Sequence, residues 1–332
     1  MPRQWSPEDV LTLARGFQPA CVLFAAADLE VFDLLAGQAM TARQVAAQLG
    51  ADPRATAILL DALAALDLLL KNEETYRLAP GVADTLATHG PHSVLAMTQH
   101  QANCLRRWIQ LAEVVKSGGP AERRPSIRGE AADQASFIEA MDNLSRPMAP
   151  NLVADIRPLA FRHLLDIGGA SGTWTIAFLR AAPQARATLF DLPAVIAMAR
   201  RRLTEAGVAD RVELAPGDFY ADALPPGADF AWVSAIVHQN SRAQNRSLLA
   251  KVFQALEPGG QIAIRDIVMD ESRTQPPAGA LFAVNMLVGT PEGGTFTFRE
   301  LADDLGAAGF VEASLLRRGQ WMDSIVRAVK PR

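Results

Sequence analysis

Leu165-Asp166-Ile167-Gly168-Gly169-Ala170-Ser171-Gly172-Thr173-Trp174 reads as an apolar strand that runs into a glycine-rich turn and then into a helix. Glycine in such a turn lets the backbone approach a ligand closely, and the amides that open the following helix face a carboxylate or a phosphate. Working outward, short apolar runs at 164–167, 187–190, 212–214, 230–236 and 262–268 alternate with helical stretches. That alternation predicts right-handed crossovers and an α/β domain whose mostly parallel sheet is covered on both faces. Runs at 315–316 and 325–329 follow with no helix between them, which predicts two antiparallel closing strands and a seven-stranded sheet.

A glycine turn alone does not choose a ligand, because dinucleotide sites use the same device. The acids around it are more selective. Asp166 directly precedes the turn, where a carboxylate would repel a phosphate but accepts hydrogen bonds from an ammonium group. Asp191 ends the next strand and can accept both hydroxyls of a ribose. Asp218, in Gly217-Asp218-Phe219, ends the third; it can accept from an adenine amine while Phe219 stacks on the ring. Each acid alone reads equally well as a solvated strand end or a helix cap. Three on one edge of an open sheet, behind a glycine turn, favour S-adenosylmethionine over NAD.

The fourth strand leaves through Ser234-Ala235-Ile236-Val237-His238-Gln239-Asn240-Ser241, and Ser241 with Gln244 forms a capping box for the next helix. His238 therefore stands at the ligand edge. A free imidazole titrates near neutrality and can take a hydroxyl proton during attack on a sulfonium methyl, worth about 10²- to 10⁴-fold in rate. Holding donor and acceptor together supplies on the order of 7–11 kcal/mol more. His89, His92, His100 and His163 have no comparable setting.

The chain has 332 residues, 49% of them hydrophobic and 20% charged, enough for a sizeable core and more than one domain. A net charge of −4 argues against general nucleic-acid binding. The apolar stretch 20–29 is short and contains Asp28, so neither a signal peptide nor a membrane span is expected, and the protein reads as cytoplasmic. Cys21 and Cys104 lack metal-ligand spacing and read as buried thiols. Residues 1–90 form a helical region with winged-helix order: a capping box at Thr41 and Gln44, an Asp52-Pro53 helix start, then a hairpin around Asn72-Glu73-Glu74. Its second helix carries Arg54 against Asp61 and Asp67, a poor base-reading face, whereas its apolar surface suits a second copy of the chain. Residues 91–158 read as a helical connection and 159–332 as the α/β domain.

These segments together resemble the plant-type, caffeic acid-like small-molecule O-methyltransferases, in their bacterial branch. The resemblance spans nearly the whole chain and rests on Asp191-Leu192-Pro193, Gly217-Asp218-Phe219, Pro258-Gly259-Gly260 and Ala308-Gly309-Phe310. It implies a Rossmann-like class I methyltransferase domain with an N-terminal winged-helix dimerisation domain, a homodimer, and S-adenosylmethionine as cofactor. It assigns cofactor contacts to Asp166, Gly168, Gly169, Gly172, Asp191, Leu192, Gly217, Asp218, Phe219 and Ser234. It makes His238 the general base, supported by Asp266 at the end of the fifth strand; a contact of Asp266 with Arg265 or backbone is the plainer reading.

The chain also departs from the family. A second acid expected after Gly293-Gly294 is missing, since Thr295-Phe296-Thr297 follows. Gln239 stands for the usual Asp, Ser234 for a frequent Lys, and Ala170 for a glycine. O-methylation of a small aromatic or polyketide-like metabolite is the first expectation. N-, C- or S-methylation, decarboxylase or hydroxylase chemistry on the same fold, a nicotinamide enzyme and a ligand-sensing winged-helix regulator stand as alternatives. The acceptor pocket is expected between the domains, from Met97, Gln101, Trp108, Phe137, Met141, Phe282, Asn285 and Met286, which read equally well as helix core. No metal is expected, nucleic acid and membrane are not expected partners, and catalysis reads as metal-independent.

Overall fold

The computed structural model describes residues 4–156 and 160–332, and the chain divides into two units, Met1–Arg106 with Arg123–Asn143, and Arg107–Glu122 with Leu144–Arg332. The domain boundary expected between residues 158 and 159 falls outside the described residues.

In the first unit, α1 (Pro7–Arg15) starts at Ser6, which forms a capping box with Asp9, and α2 (Phe17–Asp28) follows after Gly16. No residue of α1 is buried, and Leu13 and Phe17 are 69% and 56% exposed. The run Pro7–Asp28 is long and apolar enough to cross a membrane by composition; a reading confined to 20–29 stops short of it, because α1 alone is strongly amphipathic and not uniformly apolar. α3 (Val31–Leu34) leads to β1 (Met40–Thr41). Thr41 and Gln44 close the capping box of α4 (Ala42–Leu49), which Gly50 terminates in the left-handed region at φ 61°. Asp52 caps α5 (Pro53–Ala65) by accepting from the Ala55 amide at 2.7 Å. β2 (Leu69–Asn72) and β3 (Thr75–Leu78) form the hairpin, with β1 against β3. Val31, Phe32, Val45, Leu60, Leu63 and Tyr76 are the centre of this unit's core. α6 (Val82–Leu86), most of α7 (Leu95–Trp108) and the segment Arg123–Asn143 complete the unit. Cys104 is buried and Cys21 half-buried, and neither is in a disulfide.

The second unit takes α8 (Leu111–Ser117) and the later half of α9 (Glu130–Asp155), a helix that continues through Pro147 and Pro150. Its sheet is built on β4 (His163–Ile167), β5 (Arg186–Asp191), β6 (Val212–Pro216), β7 (Ala228–Ser234) and β8 (Leu256–Asp266), all parallel. The short pair β9 (Val268–Met269) and β10 (Phe296–Thr297) lies beyond β8. β11 (Val311–Arg317) and β12 (Ser324–Val329) close the sheet antiparallel, giving the order β11-β12-β8-β7-β4-β5-β6. The order reverses between β4 and β7, the place where open α/β sheets bind ligands. Alternation sets the two faces: Leu165, Ile167, Val233 and Ile264 pack under α12 (Arg242–Ala255) and α14 (Phe298–Ala307), whereas Leu164, Phe230 and Trp232 pack under α9, α10 (Thr173–Ala181) and α11 (Pro193–Glu205). α13 (Pro277–Gly289) follows β9.

Several strand limits differ from expectation, and two stand out. β7 stops at Ser234, two residues early, because Ala235 turns into the left-handed region at φ 58°. β8 begins at Leu256, six residues earlier than expected, and carries Pro258-Gly259-Gly260 inside the strand, with the Gly259 amide donating to the Lys330 carbonyl at 3.0 Å.

Candidate active site

The glycine turn is shaped by φ values of 64° at Gly168, 47° at Ala170 and 80° at Gly172. Its crowding is internal. A Cβ on Gly168 would stand 2.7 Å from Ile236 Cδ1, one on Gly169 2.6 Å from Leu189 Cγ, and one on Gly217 2.5 Å from the Phe190 ring. Glycine is therefore required at 168, 169 and 217 by neighbouring side chains, a reason not visible in the turn's own sequence.

Asp166 is 1% exposed, and its Oδ2 accepts from Thr175 Oγ1 at 2.6 Å. Burial pushes its carboxyl up to about 7, with the nearby Asp191 charge adding to the rise and the Thr175 bond opposing it. Asp191 accepts the Ala170 amide on Oδ2 and the Leu192 amide on Oδ1, both at 2.7 Å, and burial raises it as well. Each of its oxygens keeps a lone pair for a hydroxyl. Leu192, half-exposed, caps α11. Asp218 braces its own loop: Oδ1 accepts from the Tyr220 amide, and the Asp218 amide donates to Asp222 Oδ2, each at 2.8 Å. Phe219 is half-buried against the α12-side core, with Cε1 3.8 Å from where a Gly168 Cβ would lie. Ser234 Oγ accepts from Arg265 Nη1 at 3.0 Å.

His238 lies on a single 3-10 turn, Val237–Gln239, just past β7. Its Nδ1 is 3.0 and 2.9 Å from the two oxygens of Asp266, which is 1% exposed. Asp266 Oδ1 also accepts from the Ile267 amide at 2.8 Å. A carboxylate can only accept, so Nδ1 carries a proton, and in the neutral ring the lone pair lies on Nε2. The edge of the Phe282 ring meets the imidazole at 90°, centroids 4.9 Å apart. Arg265, one residue before Asp266, points to the other sheet face, so the two side chains are not hydrogen-bonded partners. It is 3% exposed, stacks 4.8 Å over Trp174, and burial lowers it to about 10.

Where the second acid is missing, the chain holds the histidine by its backbone: the Gly294 amide donates to the His238 carbonyl at 2.8 Å. Thr295 and Thr297 are buried, and Thr297 caps α14 in a box with Glu300. Of the acceptor-pocket candidates, Trp108, Phe282, Asn285 and Met286 belong to the second unit, where Trp108 Nε1 donates to Asn285 Oδ1 at 2.9 Å. Met97, Gln101, Phe137 and Met141 belong to the first; Gln101 bonds to the Met97 sulfur at 3.6 Å and Phe137 lies 5.1 Å from the His100 ring. Among the described residues no group of three or more His, Cys, Asp or Glu is gathered to hold a metal. Thr175, Tyr220, Asn240 and Asn245 take part in this edge and were not singled out from the sequence; only Thr175, nine residues after Asp166 in the adjoining helix, has a local signal.

Comparison with known proteins gives one answer for both units. A family model for an O-methyltransferase domain matches residues 124–311, and one for an O-methyltransferase dimerisation domain matches residues 11–91. The 3-hydroxy-5-methyl-1-naphthoate 3-O-methyltransferase of Streptomyces sahachiroi is 33% identical over 328 residues, covering 95% of this chain and 93% of the relative. The tetracenomycin polyketide synthesis 8-O-methyl transferase of Streptomyces glaucescens is 32% identical, with 92% of each chain covered. The crystal structure of human N-acetylserotonin methyltransferase in complex with S-adenosylmethionine superposes with a TM-score of 0.83 at 27% identity, over 100% of both chains.

Proposed function

Because this chain belongs to the S-adenosylmethionine-dependent O-methyltransferase family, we propose that it methylates a hydroxyl of a small aromatic or polyketide-like metabolite, with His238 as the general base. The residues at the sheet edge fit the cofactor. Asp166 is a buried carboxyl with no cation beside it among the described residues, which an ammonium would complete. Asp191 has acceptor capacity for two ribose hydroxyls, and Asp218 and Phe219 stand ready for the adenine. When bound, the cofactor supplies an electrophilic sulfonium methyl group.

The chain's own part is proton handling and orientation. Nε2 of His238 takes the acceptor hydroxyl's proton, and Asp266 stabilises the imidazolium that results while fixing its ring. Phe282 restricts the ring from the side, and Trp108, Asn285 and Met286 supply the apolar, partly polar wall of the acceptor site on this unit. The observation that carries the reading is the His238–Asp266 pair, held at 2.9–3.0 Å with Nε2 free. Transfer of label from methyl-labelled S-adenosylmethionine to a panel of hydroxynaphthoates and hydroxylated polycyclic aromatics tests it. His238→Ala lowers the rate by about 10²- to 10⁴-fold; activity within about three-fold of the parent excludes His238 as the base.

The reading also makes the protein a homodimer through its first unit. It is supported by the dimerisation-domain match and by the apolar side chains that α1 and the start of α2 leave uncovered.

A further inference from the structure

His238 stands on a turn held by buried amides. Asn245, in the first turn of α12 and 0% exposed, donates from Nδ2 to the Val237 carbonyl at 3.0 Å. A carbonyl only accepts, so the Asn245 Oδ1 is left to accept, and it does so from Asn240 Nδ2 at 3.0 Å. Asn240 is also 0% exposed, and its own Oδ1 then requires a donor. Tyr220 Oη provides it at 2.5 Å. Every link has one permitted direction, from the phenol hydrogen to the backbone immediately before His238.

The phenol belongs to the nucleoside side of the edge. Tyr220 is two residues past Asp218, and its ring lies 4.5 Å from that of Phe219. Lys251 Nζ, from α12, donates to the carbonyls of Phe219, Tyr220 and Asp222, each at 2.9 Å. The loop that carries Asp218 and Phe219 is thus fastened both to α12 and to the turn of the base. On the far side, the Gly294 amide holds the His238 carbonyl. The backbone on either side of His238 is fixed, and one of the two restraints reports to the nucleoside loop.

We propose that Tyr220, Asn240 and Asn245 are positioning residues: a buried hydrogen-bond relay that ties the nucleoside loop to the turn of His238, so that filling the nucleoside site is felt at the imidazole. The inference rests on the cofactor reading above. Its test uses the full chain with 13C-labelled histidine and S-adenosylhomocysteine as the probe, the His238 signal being assigned with His238→Ala. In the parent protein the probe displaces the His238 Cε1–H resonance. In Tyr220→Phe, calorimetry finds the probe bound within about three-fold of the parent affinity, while the displacement at equal occupancy falls to less than half. Asn240→Ala cuts the middle link and gives the same loss, and the double variant loses no more than Asn240→Ala alone, as expected for members of one chain. A merely structural role lowers the melting temperature and leaves the displacement intact. Full displacement in Tyr220→Phe, additive losses in the double variant, or no displacement in the parent protein overturns the relay. Failure of the parent protein to bind the probe overturns the cofactor reading, and the relay with it.

Discussion

Asp166 holds its proton into the neutral range because the fold removes water from its carboxyl and leaves the hydroxyl and backbone of Thr175 in its place. Its folded pKa lies above the ordinary 3.8, so it favours the folded state at low pH, and that contribution is lost as pH rises from about 4 through about 7. An ammonium placed against it reverses the preference and drives the proton off. Binding of S-adenosylhomocysteine should therefore release more proton at pH 6 than at pH 8. Calorimetry in buffers of different ionisation enthalpy measures this, and Asp166→Asn should abolish the release. Release that does not change with pH would mean that Asp166 does not receive the ammonium. In the proposed mechanism Asp266 fixes the tautomer of His238, so in Asp266→Asn the transfer rate should fall by about 10²- to 10⁴-fold with cofactor affinity unchanged.

At the level of elements, the turn and segment that flank His238 respond differently to the same added methyl group. A Cβ on Gly293 would meet the His238 carbonyl oxygen at 2.6 Å and Thr290 Oγ1 at 2.4 Å, whereas one on Gly294 meets nothing within 4 Å. Gly293→Ala should cost about 1–3 kcal/mol of stability and displace the base, while Gly294→Ala should be nearly neutral in both unfolding and transfer assays. Equal effects would show that this segment does not restrain the turn. Local devices of this kind divide what the sequence discloses from what it hides. The capping boxes at Thr41, Ser241 and Thr297 close within three residues, and the first two are readable directly; so is the alternation that sends Leu164 and Leu165 to opposite faces. The three acids are legible because each lies at or within two residues of a strand's end, Asp166 just inside β4, Asp191 closing β5 and Asp218 just past β6. The partners that explain the glycines are not, since Gly217 is crowded by Phe190 and Gly168 by Ile236, contacts made only once strands are laid side by side. Tyr220 and Asn240 meet across twenty positions for the same reason.

For the molecule as a whole, α1 and the start of α2 leave Val10, Leu11, Leu13 and Phe17 exposed, apolar surface that a second copy of the chain would cover. Leu13→Glu with Phe17→Glu should shift the sedimenting species from dimer to monomer while the second unit keeps its melting transition; an unchanged dimer would place the interface elsewhere. The acids at the sheet edge and one imidazole should meet on a single bound cofactor. In a crystal structure with S-adenosylhomocysteine the ribose hydroxyls should lie on Asp191, the ammonium on Asp166 and the sulfur facing Nε2 of His238. A bound nucleoside away from Asp191, or a His238 ring turned from the sulfur, would contradict this arrangement.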